Sequence, residues 1–411
     1  MMRSSSARID WLSIGQLGVG VLSCLICFLL AGGLILLANN PNWFDSNPIM
    51  ETQSLPMLAG LLTAIGFLNI PSILFSWRAL SNQPPASPSR TNPFRLASLA
   101  LISLPVWLVG GQWLTQTSLA AVLLPIFNVL ALLIPIWWLV EFGRRKLPGG
   151  SPQRNWGLVS ASTGLTPVIV ILVETFIAIL VVIGVLAWLG REPGWMAKFN
   201  QLFIQFSQSE FNSDFLTSLL KDLLGNPLVI VTVFVVLGFL MPLTEELLKP
   251  LALWTLRKRM VTPAEGFGAG LVCGAGFAFI ESVSLITQMG GGSDWSQTVI
   301  LRITTSLLHM TTSALTGWGL ANAWIQKKHG RAVLAILAAT GLHGLWNSLV
   351  VSVALIPLFN SLGEQSPLLN VFSGFSTYAF ITILTFLAGM LVLMNHLLRR
   401  EVERNTTISV S

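Results

Sequence analysis

The feature that most constrains this chain is its succession of long apolar blocks. Ten of them lie near residues 11–38, 55–77, 96–114, 118–140, 159–189, 226–256, 266–288, 298–325, 332–357 and 368–397. Each is long enough to cross the hydrocarbon core of a bilayer, which takes about 20 helical residues. Hydrocarbon offers no water to backbone N–H and C=O groups, so a spanning segment must be a helix or part of a closed barrel. Barrel strands run about 10 residues with alternating polarity, whereas these blocks are longer and apolar throughout. The predicted fold class is therefore all-α: a polytopic transmembrane helical bundle of about ten spans.

Composition agrees. Hydrophobic residues make up 53% of the chain and charged ones 10%, against about 25% charged in a soluble domain. That excludes a cytosolic enzyme, a disordered regulator and a secreted disulfide scaffold. The basic excess needs no nucleic-acid partner. Cys24 and Cys27 form a C-x-x-C inside the first block, where they read as small core residues.

The loops alternate in charge. One side carries Arg3 and Arg8; Arg78, Arg90 and Arg95; Arg144, Arg145, Lys146 and Arg154; Arg257, Lys258 and Arg259; Lys327, Lys328 and Arg331; and Arg399, Arg400 and Arg404. The other side has Arg191, Lys198 and Lys221. The positive-inside rule then predicts both termini in the cytoplasm. Residues 81–95 read as a Pro/Ser-rich linker. In 192–224, Phe203, Phe206, Phe211, Phe215 and Leu219 recur among Lys198, Glu210, Asp214, Lys221 and Asp222, which predicts one or two amphipathic helices on the outer face.

Ionisable groups inside a bilayer cost several kcal/mol and default to functional hypotheses. The sixth block holds Glu245, Glu246 and Lys249, the seventh Glu281, the eighth Arg302 and His309, and the ninth His343 and Asn347. At 1.5 Å rise per residue, the carboxylates and imidazoles lie roughly 16 to 27 Å from the nearest basic loop, so four helices can converge on one polar site. Lys249 can pair with Glu245 at i,i+4 or Glu246 at i,i+3. His343 and Asn347 are also i,i+4 and share a face that offers hydrogen bonds to an oxyanion. Arg302 reads as snorkelling to the interface. Small residues recur every fourth position at Gly266, Gly270, Gly274 and Ala278, and at Ser313, Gly317 and Ala321, which lets helices pack closely.

Glu245-Glu246-x-x-Lys249, Phe277-x-x-x-Glu281, His309 and His343-x-x-x-Asn347 (within Gly-Leu-His-Gly-Leu-Trp-Asn) together resemble the PrsW family of intramembrane proteases. The wider superfamily holds the type II CAAX prenyl endopeptidases, the bacterial CPBP proteins and a non-catalytic scaffold subunit. Where its prenyl proteases carry an arginine and a histidine, this chain carries Lys249 and Glu281, and both departures favour PrsW. The resemblance covers residues 226–357. It implies an integral membrane enzyme of a bacterial plasma membrane that hydrolyses a peptide bond in a membrane-anchored protein substrate, a regulatory proteolysis. The expected domains are a membrane region of about five spans (1–190), an extracytoplasmic amphipathic segment (191–225), a four-span catalytic core (226–357), and a last span with a cytoplasmic tail (358–411).

No serine–base pair stands at depth, so water is the expected nucleophile. Glu245 is the expected base with Glu246 as its orienter, in either order, and Lys249 holds the pair's charge. Glu281 or His309 completes the water site. By analogy with the superfamily, His343 and Asn347 stabilise the oxyanion, and Phe277 supports the site. A divalent metal such as zinc is a further expectation, with Glu246, Glu281, His309 and His343 as candidate ligands. Two other readings use the same residues: a proton-coupled transporter with Glu174 in its relay, and a non-catalytic membrane scaffold.

Overall fold

The computed structural model describes residues 10–39, 54–84, 92–208, 212–260, 262–289, 294–362 and 367–410. Arg3, Arg8, Arg90, Glu210 and Phe211, and the linker residues 85–91, lie outside the described residues. Every regular element among those described is a helix. Each of the ten apolar blocks falls on a helix or a broken pair of helices. Among the described residues, eight helices are long and apolar enough to cross a membrane, and nine spans result if Pro93–Ile102 and Leu104–Leu114 count as one span bent by 41°. The bend falls where Pro105 enters the second helix, since proline has no N–H to continue the first.

The remaining block lies in Trp295–Gln326, a helix of 32 residues. It is long enough to span but too rich in Thr, Ser, Arg and His to pass as a lipid-facing helix. From Thr305 to Gly317 every residue except Leu307 is buried. Polar groups within a membrane protein are tolerated when they face protein rather than lipid.

Two compact units partition the chain. One comprises Met1–Val168, Leu247–Ala339 and Phe386–Ser411; the other comprises Ile169–Glu246 and Thr340–Thr385. In the first unit, helix Pro263–Met289 packs along Trp295–Gln326, and the two small-residue stripes meet. A Cβ on Gly270 would collide with the carbonyl oxygen of Ser313, and one on Gly317 with that of Gly266. The outer side of the Pro263–Met289 helix buries Phe267, Leu271 and Phe279 in a core shared with Met57, Leu61, Leu124 and Leu132. Trp295 closes this core and donates from Nε1 to Asn128 Oδ1 at 2.8 Å.

In the second unit, the 192–224 segment forms two helices, Trp195–Gln208 and Ser213–Gly225. Asn212 caps the second by accepting from the backbone N–H of Asp214 and Phe215. Trp195 and Leu219 pack with Leu189 in a small core, and Lys198 Nζ binds Asp222 Oδ2 at 2.6 Å.

The stripe contact predicts a contrast between neighbouring glycines. Gly270→Ala forces a methyl group into backbone, at a cost of about 1 to 3 kcal/mol. Gly268→Ala meets nothing within 4 Å and, as a better helix former, holds or raises stability by up to about 1 kcal/mol. Unfolding midpoints of the two variants in mixed micelles read the difference.

Candidate active site

The close crossing in the first unit fixes one cluster. The carbonyl oxygen of His309 lies 2.5 Å from where a Cβ on Gly274 would sit. This brings His309 against the turn that carries Phe277 and Glu281. The Phe277 and His309 rings meet edge to face with centroids 5.5 Å apart. His309 Nε2 lies 2.5 Å from Glu281 Oε2, and its Nδ1 lies 2.7 Å from Lys249 Nζ. The His309 ring thus stands between the Lys249 ammonium and the Glu281 carboxylate.

Arg302 holds the other oxygen of Glu281, with Nη2 to Oε1 at 2.9 Å, and its Nε donates to Ser282 Oγ at 3.2 Å. The structure therefore corrects the snorkelling expectation for Arg302: its side chain turns inward onto Glu281. The pairing explains why, since a guanidinium beside a carboxylate avoids the cost of an unpaired charge. Lys249 is fully buried. Helix Met241–Leu248 stops just before it, at a turn completed by Pro250. Its ammonium stands 4.5 Å from the centroid of the Phe277 ring, a cation–π contact.

The second cluster lies in the other unit. Adjacent carboxylates on a helix point about 100° apart, and His343 faces both of them. Its Nδ1 is 3.0 Å from Glu246 Oε1, and its Nε2 is 3.9 Å from Glu245 Oε2. Glu246 is fully buried, whereas Glu245 is partly open. A close backbone crossing sets this register: a Cβ on Gly344 would collide with the carbonyl oxygen of Gly238. Gly238 lies in a π-helical turn, Val236–Leu240. Such turns break the regular backbone ladder and cluster at functional sites. Here the carbonyl of Leu237 accepts from Asn347 Nδ2 at 3.2 Å, one turn beyond His343. Trp346, between them in sequence, is buried against Phe380 with ring centroids 5.0 Å apart.

The donor chemistry at His343 fits a zinc ion. Two ligands bound at 2.0–2.2 Å stand no more than about 4.3 Å apart, and Glu245 Oε2 with His343 Nε2 lies inside that limit at 3.9 Å. A metal-binding histidine is ordinarily steadied by a carboxylate on its other nitrogen, the place Glu246 takes. His309, by contrast, has Lys249 and Glu281 on its two nitrogens.

Of the residues singled out in the sequence, Lys249, Phe277, Glu281 and His309 meet in one cluster, and Glu245, Glu246, His343 and Asn347 in the other. Glu174 is half-buried in helix Thr166–Leu189. Sequence reasoning missed Arg302 and Ser282 as partners and Gly238 and Gly344 as the contact that sets His343. Gly344 did carry a signal, since it directly follows His343.

A helical membrane bundle with carboxylates, imidazoles and cations paired on its buried helices defines an integral membrane protein built around intramembrane acid–base groups. Comparison with protein families narrows the class: residues 211–389 match the family described as PrsW family intramembrane metalloprotease. This region holds both clusters, and a PrsW-family domain implies an intramembrane protease. Comparisons with curated proteins and with solved structures returned no match.

The Gly238–Gly344 crossing predicts that Gly344→Ala, which forces a methyl group into backbone, lowers stability by about 1 to 3 kcal/mol. Gly341→Ala, which meets nothing within 4 Å, shows no such loss. Unfolding midpoints of the two variants in mixed micelles decide the point.

Proposed function

We propose that the protein is an intramembrane endopeptidase that hydrolyses a peptide bond in a membrane-anchored protein by glutamate-activated water. The observation that carries this reading is His343, set between Glu246 at 3.0 Å and Glu245 at 3.9 Å. Two carboxylates of unequal exposure on one imidazole suit divided roles. Glu246 orients His343, and the more open Glu245 serves as general base.

Glu245 takes a proton from water as its oxygen bonds to the scissile carbonyl carbon. The carbonyl electron pair moves to oxygen, where His343 and Asn347 supply the stabilising groups. On collapse the C–N bond breaks, and the leaving nitrogen takes the proton from Glu245. The products are a carboxylate and an amine. Within the first unit, Lys249 and Arg302 balance the charge of Glu281, and Phe277 packs against the His309 ring.

The family description names a metalloprotease; were an ion bound, Glu245 and His343 would hold it, and would then not act as free base and oxyanion donor. A zinc ion bound there supplies a lowered water pKa and a polarised carbonyl. The substrate is a membrane-anchored protein and the surroundings are lipid; a role in regulatory proteolysis at a bacterial plasma membrane is part of the proposal.

The test is cleavage in proteoliposomes containing a panel of tagged single-pass proteins. Native protein is expected to release fragments, and Glu245→Gln to slow release by 10²- to 10⁴-fold, the range for loss of a general base. Fragments that persist unchanged with Glu245→Gln contradict the assignment. No fragment from any panel member, with Glu245→Gln instead destabilising the protein, supports the scaffold reading. Chelation followed by zinc addition tests the metal: the family description predicts loss and recovery.

A further inference from the structure

A cavity of about 650 Å³ opens in the first unit, and Lys249, Glu281, Arg302 and His309 are not among its lining residues. Its walls are apolar, with Leu133, Ile136, Trp137, Trp156 and Val159 among them. The volume falls in the range of pockets that hold small molecules. At one end Pro93, Glu141, Arg144 and Asn155 also line a second space, whose rim adds Arg145 and Lys146. The two spaces thus adjoin, an apolar chamber beside a basic mouth.

The mouth sits where membrane meets water, because Arg144 follows directly on Gly143, the last residue of the candidate span Ala120–Gly143. It is also built rather than loose. Asn395 Nδ2 donates to the carbonyls of Gly143 at 2.8 Å and Arg145 at 3.0 Å. Lys146 occupies a left-handed turn at φ 61°, and Asn155 Nδ2 donates to Gly149 O at 2.8 Å. Arg144 pairs with Glu141, while the Arg145 guanidinium stacks 4.6 Å from the centroid of Phe94. Three cations against one carboxylate leave the mouth with a net charge of +2.

We propose that this is a binding site for an anionic phospholipid, its headgroup on Arg145 and Lys146 and an acyl chain in the adjoining chamber. Charge complementarity selects the headgroup, and the apolar walls select a chain rather than a soluble phosphate. Basic pockets between membrane helices hold anionic lipids by this combination. The chamber also touches Ala275, Gly276 and Phe279, on the same helix as Phe277 and Glu281. A bound chain therefore packs against the element that carries part of the acid–base cluster.

The experiment reconstitutes the full chain in nanodiscs of phosphatidylcholine and phosphatidylglycerol in roughly equal amounts, then reads retained lipid by native mass spectrometry. Phosphatidylglycerol is expected to be retained about 30-fold in preference to phosphatidylcholine, from two basic residues at about 1 kcal/mol each. Arg145→Gln with Lys146→Gln should abolish the preference, and Val159→Trp, which fills the chamber, should reduce retention of both lipids. Equal retention by the native protein overturns the proposal, as does a preference that survives the double substitution. Displacement of the lipid by millimolar glycerol phosphate also overturns it, by showing an anion site that needs no chain. Arg145 and Lys146 are exposed, so the double variant keeps the test decisive even where Val159→Trp fails to fold.

Discussion

A cation without access to water must bring its counter-charge with it, and Lys249 is the residue in this protein on which that rule presses hardest. Its side chain is fully buried. An unpaired ammonium there would cost several kcal/mol. The structure answers with a chain of contacts in one unit: Lys249 to His309, His309 to Glu281, Glu281 to Arg302. That chain requires two helices to stand unusually close, which the meeting of Gly266, Gly270 and Gly274 with Ser313, Gly317 and the His309 carbonyl makes sterically open. The polarity of Trp295–Gln326 follows too. A helix that carries His309 and Arg302 cannot face lipid, so its surroundings are protein.

The same logic recurs in the other unit on a smaller scale. Gly238 and Gly344 remove the side chains that would hold two backbones apart. His343 then comes within reach of Glu246 and Glu245, and Asn347 takes the Leu237 carbonyl of the π-helical turn. In both units glycine placement decides where ionisable groups can stand.

The membrane fold was legible because its signal is local: an apolar run of sufficient length admits few structures in hydrocarbon. The site residues were legible for a related reason, since Glu245, Glu246, Glu281, His309 and His343 are costly at depth and stand out wherever they occur. Partner choice was less legible. Lys249 is three residues from Glu246 and four from Glu245, and intrahelical spacing favoured those pairs. The helix ends at Leu248 and turns through Pro250, and the ammonium reaches His309, sixty residues away in sequence, a contact that spacing along one helix could not show. Arg302 was read from its own helix end, where snorkelling is the default. Its contact with Glu281 lies across a helix pair and has no signature in either segment. Asn347 likewise showed its spacing to His343 but not its bond to a carbonyl that only the π-helical turn offers.

The most direct test of this charge-pairing account is a double-substitution cycle on Lys249→Met and Glu281→Gln, with stability measured by unfolding in mixed micelles. Glu281→Gln alone removes a carboxylate from the chain of contacts that reaches Lys249 through His309. Since the Glu281 side chain is itself 34% exposed, the expected loss is about 1 to 3 kcal/mol, below the full penalty for breaking a buried pair. Adding Lys249→Met should recover part of that loss, with a coupling of at least about 1 kcal/mol. Two losses that simply add, within about 0.5 kcal/mol, would show that Lys249 does not depend on Glu281 and would contradict the account.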